Sequence, residues 1–236
     1  MIDFIKFHVE KPKKIGGPSF AYPKFLLKKS SDLMIQGGDF YAIWIEEKGL
    51  WSKDEQDAID MIDNELRMFV EANKDKYTEL IPLYLWDSTS GMIDRWHKYC
   101  QKQLRDNYHV LDEKLVFSNT VTTREDYASK KLKYPLEPGT ITAYDALMST
   151  LYSPEEREKL EWAIGAIVSG DSKKIQKFLV LYGSGGTGKS TVLNIIQKLF
   201  EGYCSSFDAK ALGSANSSFA LEPFKTNPLV AIQHDG

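Results

Sequence analysis

Cysteine is nearly absent, with only Cys100 and Cys204 in 236 residues. Two such distant thiols exclude a disulfide framework and a four-ligand zinc site. Long apolar runs are missing as well. No stretch approaches the roughly 18 residues that a membrane-spanning helix needs, which sets the expectation of no membrane partner. No charged-then-apolar leader follows Met1, and a reducing, cytoplasmic setting is the expectation. Repeats and low-complexity tracts do not occur, so solenoid and disordered architectures drop out. Nor is there a basic excess: 30 Lys and Arg against 33 Asp and Glu give a net charge of −3. That argues against a protein that coats nucleic acid uniformly and leaves only local charge to consider.

The one local basic bias lies near the start, at Lys11, Lys13, Lys14, Lys24, Lys28 and Lys29. It reads as a solvated, partly disordered leader rather than a DNA-contacting arm. Beyond it, "DFYAIWIEEKGLW" alternates up to a Lys48-Gly49 turn and predicts a strand hairpin. "SKDEQDAIDMIDNELRMFVEAN" spaces Ile59, Ile62, Leu66 and Phe69 by three or four. It predicts an amphipathic helix capped by Ser52. A second helix follows with Met92, Trp96, Tyr99 or Cys100, and Leu104 on one face, and Trp96 is expected in the core.

"KLVFSNTV" predicts a short strand. "TREDYASKKLKYPLEPGT" reads as an irregular connection whose Lys130, Lys131 and Lys133 are solvated linker lysines, next to Tyr127 and Tyr134. A division near residue 137 therefore separates a mixed, mainly helical accessory domain with a small hairpin (1–137) from a second domain (138–236). In the second, "TAYDALMSTL" predicts a helix. "SPEEREKLEWAIGAIVSG" carries Ser153 as cap, Pro154 in the first turn, Glu156 closing a capping box and Gly170 as terminator.

The strongest signal is "KFLVLYGSGGTGKSTVLNIIQKLF", residues 177–200. "KFLVLY" is a continuous apolar run of strand length, as expected for a strand covered on both faces. Gly183-Ser184-Gly185-Gly186-Thr187-Gly188-Lys189-Ser190 matches G-x-x-x-x-G-K-[ST], and "TVLNIIQKLF" continues at helical spacing. Glycines let backbone N–H groups close around phosphate oxygens at the positive end of a helix. Lys189 is the residue to reach the β- and γ-phosphates of ATP, Ser190 the ligand for Mg²⁺, and Thr191 a neighbour of the α-phosphate through its backbone amide. "NPLVAIQHDG" predicts a further strand, Leu229 to Ile232, ending at Asp235. That acid is the candidate for the metal's water shell or for orienting the attacking water.

The order "GSGGTGKST", then "SSFALEPFKTNPLVAIQHDG", resembles superfamily 3 helicases, most closely the primase-helicases of tailed phages, plasmids and poxviruses. "YPLEPG" with the helices before the loop is similar to their helical lead-in, and "YAIWIEEKGLWSKDEQDAIDMIDNEL" to the start of their accessory domain. The resemblance implies an α/β fold with an AAA+-like P-loop core. It also implies a ring, hexameric by expectation, that hydrolyses ATP at subunit interfaces and moves on single-stranded or forked DNA beside a replisome primase or polymerase. Its location would be the host cytoplasm if the protein is viral.

By the same resemblance Gly183, Gly188, Lys189, Ser190 and Thr191 bind nucleotide. One departure is His234-Asp235, where many such helicases carry two adjacent acids. The family's sensor, DNA hairpin and arginine finger would follow Gly236. The chain is therefore read as the opening part of a longer motor whose core is incomplete, and is expected to be inactive by itself. Two other readings stay open: a DNA-packaging ATPase, and a non-catalytic ATP-binding scaffold or loader.

Overall fold

Ile5–Glu10 and Ser19–Phe25 carry the alternation that a sheet with one buried face needs. In the computed structural model, which describes residues 2–12, 14–35, 41–103, 108–213 and 219–234, they form strands β1 and β2. The two run antiparallel, with Ile5 opposite Phe25 and Glu10 opposite Phe20. Ile2, Phe4, Ile5 and Ala21 are buried. The segment expected to be a solvated leader is instead a founding part of the core. Its lysines occupy outward positions such as Lys6 and Lys24 and conceal the alternation when charge is counted without period.

Three further strands, β3 (Leu33–Ile35), β4 (Tyr41–Ile45) and β5 (Leu50–Ser52), make an antiparallel sheet in the order β3-β4-β5. The expected hairpin is present: Trp44 faces Trp51, and the turn closes through Gly49 at φ +59°. Helix α1 spans Glu55–Asn73, and its cap is Asp54, whose carboxylate accepts from the Gln56 N–H at 2.9 Å. Ser52, the expected cap, ends β5 opposite Ile43 and donates to Asp57 at 2.6 Å. Ser and Asp cap about equally well, so only the strand pairing that holds Ser52 extended separates them.

β6 (Leu80–Pro82) joins β2 in parallel, and helix α2 spans Met92–Gln103. Ala58, Ile59, Ile62 and Leu66 of α1 are buried, and the first three meet Met92, Trp96, Tyr99 and Cys100 of α2 in one core; Leu104 lies outside the described residues. Trp96 is core, as its spacing implies. Among the described residues this unit holds two three-stranded sheets beside its two α-helices, more sheet than the small hairpin expected, because the strands are short and β6 joins β2 from far along the chain.

Asp63 illustrates the cost of such packing. Its carboxylate accepts from the Leu85 and Trp86 N–H groups at 2.8 and 3.1 Å. Burial nevertheless raises its pKa above the usual carboxylate value, against those two bonds. The folded state thus binds this proton more tightly than the unfolded chain, and its contribution to stability is fully present at low pH and lost as pH rises through the folded pKa. Asp63→Asn should therefore flatten the change in urea midpoint as pH rises through and above the ordinary carboxylate range. An unchanged pH profile would rule this linkage out.

The second unit consists of Asp112–Val121 with Lys130–Gly236, while Thr122–Ser129 belongs with Met1–Leu111 in the first. The sequence suggests one cut near 137; the observed division interleaves instead. Phe117 and Leu132 join the second core, whereas Tyr127 packs in the first unit against the Trp44–Trp51 cluster. The strand expected over "KLVFSNTV" does not form. Val116 and Ser118 make only two backbone bonds, with Leu132 and Tyr134, too few for a ladder.

Of the lysines expected to be solvated here, Lys133 is exposed as expected, while Lys130 and Lys131 are half-buried and all three find partners. Lys130 pairs with buried Asp112 at 3.5 Å and lies 4.6 Å from the centre of the Tyr203 ring. Lys131 donates to the Thr120 carbonyl at 2.8 Å, and Lys133 pairs with Glu201 at 3.0 Å. Burial pushes the Tyr203 hydroxyl up to about 12, and that hydroxyl donates to the Lys130 carbonyl at 2.8 Å.

Helices α3 (Thr142–Leu151) and α4 (Pro154–Ser169) match the sequence expectation. The capping box is formed: Ser153 Oγ accepts from the Glu156 N–H, and Glu156 accepts from the Ser153 N–H at 2.8 Å. These Ser153 bonds hold the Glu156 carboxyl below its ordinary range. Leu160 is buried, with Ala163, Ile164 and Ile167 half-buried. After α5 (Ser172–Ile175) come α6 (Lys189–Leu199), β7 (Cys204–Ser206), α7 (Ala209–Leu212) and β8 (Val230–Ile232). β7 and β8 pair in parallel, Cys204 opposite Val230 and Ser206 opposite Ile232. The fold class is thus mixed α and β, with small sheets. No described helix is long and apolar enough to cross a membrane.

Candidate phosphate-binding loop

Helix α6 starts where the glycine-rich loop ends. Val192 and Ile196 are buried in one cluster with Val230 and Ile232 of β8, which fixes the helix and with it the direction of its N-terminus. Gly188 is the cap residue, in the left-handed region at φ +81°, and no side chain caps the helix. The first intrahelical bond runs from the Val192 N–H to the Gly188 carbonyl at 3.0 Å. The N–H groups of Lys189, Ser190 and Thr191 precede that bond, so the helix itself supplies them no acceptor. Ser190 and Thr191 are exposed. An anion placed there meets backbone donors and the positive end of the helix dipole.

Lys189 closes the loop from below. Its ammonium donates to the Gly183 and Ser184 carbonyls at 2.9 and 2.7 Å and to Thr187 Oγ1 at 3.2 Å, while Thr187 Oγ1 donates to the Ser184 carbonyl at 3.1 Å. Three acceptors match the three donors of an ammonium group. The lysine is therefore half-buried in its own loop with its charge held beneath Gly183–Thr187, all of which are exposed. Gly186 also has φ +81°, a conformation that suits glycine alone without strain.

One residue that sequence reasoning does not reach is Leu151, the last of α3. A methyl group on Gly188 would stand 2.7 and 2.8 Å from its two Cδ carbons. No periodicity links positions 151 and 188; the contact is purely tertiary. Gly188→Ala is expected to lower the stability of this unit by about 1–2 kcal/mol for the left-handed backbone alone, with a further loss from the clash. Adding Leu151→Ala should relieve the clash and leave the backbone cost, as a double-mutant cycle in urea would read.

The expected strand before the loop does not form. Residues 177–182 pair with no strand, and Phe178, Val180 and Tyr182 are 89, 66 and 98 % exposed. Only Leu181 packs against the second core. A strand is made by its neighbours, and among the described residues no strand pairs with this run. β8 itself confirms the strand expected at 229–232, with its first residue shifted to Val230. His234 follows it and is exposed. Asp235, the candidate acid, lies outside the described residues. Among the described residues no group of three or more His, Cys, Asp or Glu is placed to hold a metal ion, so Ser190 is the one expected Mg²⁺ ligand with a described position.

No protein-family model matches the chain, and no curated protein or solved structure matches it.

Proposed function

We propose that the chain carries the ATP-binding portion of a DNA motor, a replicative helicase ATPase of the superfamily 3 type that the loop sequence resembles. The observation that supports this most is the join of Gly183–Gly188 to α6: an uncapped helix N-terminus, backbone donors without helical acceptors, and Lys189 held at the loop's base. Loop glycines and the amides of Lys189, Ser190 and Thr191 would surround the phosphates of ATP, and Lys189 would turn from the Gly183 and Ser184 carbonyls toward the β- and γ-oxygens. Ser190 Oγ would hold Mg²⁺, with Asp235 as the acidic partner. The metal supplies charge neutralisation across the phosphates. Assembly into a ring around single-stranded DNA, hexameric by the same resemblance, is part of the proposal.

The test is ATP hydrolysis by the intact protein with and without single-stranded DNA. DNA-stimulated turnover is the expected result. Binding of ATP without turnover or response to DNA would replace the motor with an ATP-regulated scaffold.

A further inference from the structure

A second candidate site lies in the first unit, where Lys29, Ser30, Ser31, Trp51, His109 and Tyr127, with Arg124 and Glu125, line a cleft of about 160 Å³. Three of its rings form a near-parallel ladder. His109 stacks on Tyr127 with centroids 4.1 Å apart at 14°, and Tyr127 on Trp51 at 6.4 Å and 18°. Trp51 is 3 % exposed, so that end of the ladder is closed, while His109 is half-buried and leaves the other end accessible.

The ladder is held in an uncommon way. Tyr127 sits at φ +47°, the left-handed region that a bulky side chain seldom adopts. It follows a single 3-10 turn, Arg124–Asp126, locked by a capping box in which the Asp126 carboxylate accepts from Thr123 N–H at 2.8 Å and Oγ1 at 3.0 Å. Trp51 is tied to the same turn, its indole N–H donating to the Arg124 carbonyl at 3.0 Å and its backbone N–H to the Ala128 carbonyl at 2.8 Å. Such strain, held by surrounding bonds, is the kind that concentrates at ligand clamps.

The opposite rim is equally fixed. Ser30 Oγ and the Ser31 N–H donate to the Asp3 carboxylate at 2.5 and 3.0 Å. Arg124 is neutralised by Asp32 and Glu46, each 3.0 Å away, and lies over the Trp44 ring. The exposed positive charge on the rim is thus Lys29, which makes no ion pair among the described residues. Glu125, also exposed, supplies an acceptor.

We propose that this cleft binds single-stranded nucleic acid by taking one unpaired base onto the His109 end of the ladder, with Lys29 on the adjoining phosphate and Glu125 accepting from an exocyclic amine of the base. The size fits the class: 160 Å³ is below the roughly 300–1,000 Å³ of pockets that enclose whole drug-sized ligands, and suits a single planar ring entering from an otherwise solvated strand. Aromatic stacking with nearby basic charge is the general mode of single-strand recognition, and a carboxylate selects bases that offer an amine, such as cytosine, over thymine. The inference stands on the first unit's own geometry and does not require the phosphate loop to act as a motor.

The experiment is fluorescence anisotropy of labelled oligo-dC and oligo-dT of about 10 nucleotides, titrated with the whole chain in EDTA without nucleotide, so that ATP turnover takes no part. Binding of oligo-dC more tightly than oligo-dT is expected. His109→Ala and Tyr127→Asn, the latter tolerant of a left-handed backbone, should each weaken binding by about 5- to 150-fold. Tyr127→Phe keeps the ring, loses only the 3.3 Å bond between its hydroxyl and His109 Nε2, and should retain most of the binding. Lys29→Ala should reduce the slope of log affinity against log salt by about 0.7, and Glu125→Gln should narrow the dC over dT preference. No binding by the unaltered chain, equal binding of duplex DNA, or His109→Ala and Lys29→Ala binding unchanged would each overturn the proposal. A failure here leaves ATP turnover untouched, and the reverse also holds.

Discussion

In the intact protein, Lys189→Ala is expected to lower ATP turnover by about 10²- to 10³-fold, the scale seen when one preorganised donor to a developing charge is removed. The lysine is the only side-chain cation bonded within the loop among the described residues, with its ammonium already 2.7–3.2 Å from three loop acceptors. Its removal takes away the charge that would follow the β- and γ-oxygens into the transition state. It also removes the ammonium donor from the Gly183 and Ser184 carbonyls, the latter keeping only its bond from Thr187 Oγ1, so the loop itself should loosen. The two effects separate experimentally. Binding of a fluorescent ATP analogue reads the ground state, and single-turnover hydrolysis reads the chemical step. Turnover within a few-fold of the unaltered protein would remove the phosphate loop from any catalytic role.

Trp96→Ala is expected to cost about 3–5 kcal/mol, the upper range for deleting a buried aromatic side chain. Trp96 is fully buried, with the rings of Phe4, Phe25, Tyr41 and Tyr99 5.4–6.0 Å from its own, and its indole N–H donates to Glu55 at 3.2 Å. The substitution removes the central member of that cluster and the bond together. Against a typical domain stability of about 5–15 kcal/mol, it should bring the first unit close to unfolding at 25 °C. Urea denaturation followed by near-ultraviolet circular dichroism checks this. Trp96→Phe should recover most of the packing while losing the bond. A midpoint for Trp96→Ala within error of the unaltered protein would mean that Trp96 does not hold this core.

The amino-acid pattern alone points to both residues. Trp96 stands at helical spacing between Met92 and Cys100, and Lys189 closes a motif whose residue types have few other uses. Helices α3 and α4 are equally legible, since Ser153, Pro154, Glu156 and Gly170 act over three or four positions and need nothing from the rest of the chain. Local interactions carry their own signature in the order of residues.

Features that depend on partners distant along the chain leave no such signature. "KFLVLY" has a strand's composition, but strand formation is a property of a pair, and residues 177–182 pair with no strand among the described residues. The reverse holds for Ile5–Glu10, whose alternation is diluted by lysine and becomes a strand because β2 supplies its ladder. Lys130 has the sequence context of linker charge, yet Asp112 and Tyr203 close around it. The glycine loop, the helix that follows it and the capped helices before it are thus written in the residue order, because hydrogen bonds within a few residues decide each of them. Long-range packing, by contrast, selects which segments become strands, sets Leu151 against Gly188, and gathers Lys29, Trp51, His109 and Tyr127 around one cleft, since those contacts join residues whose separation leaves no period to read.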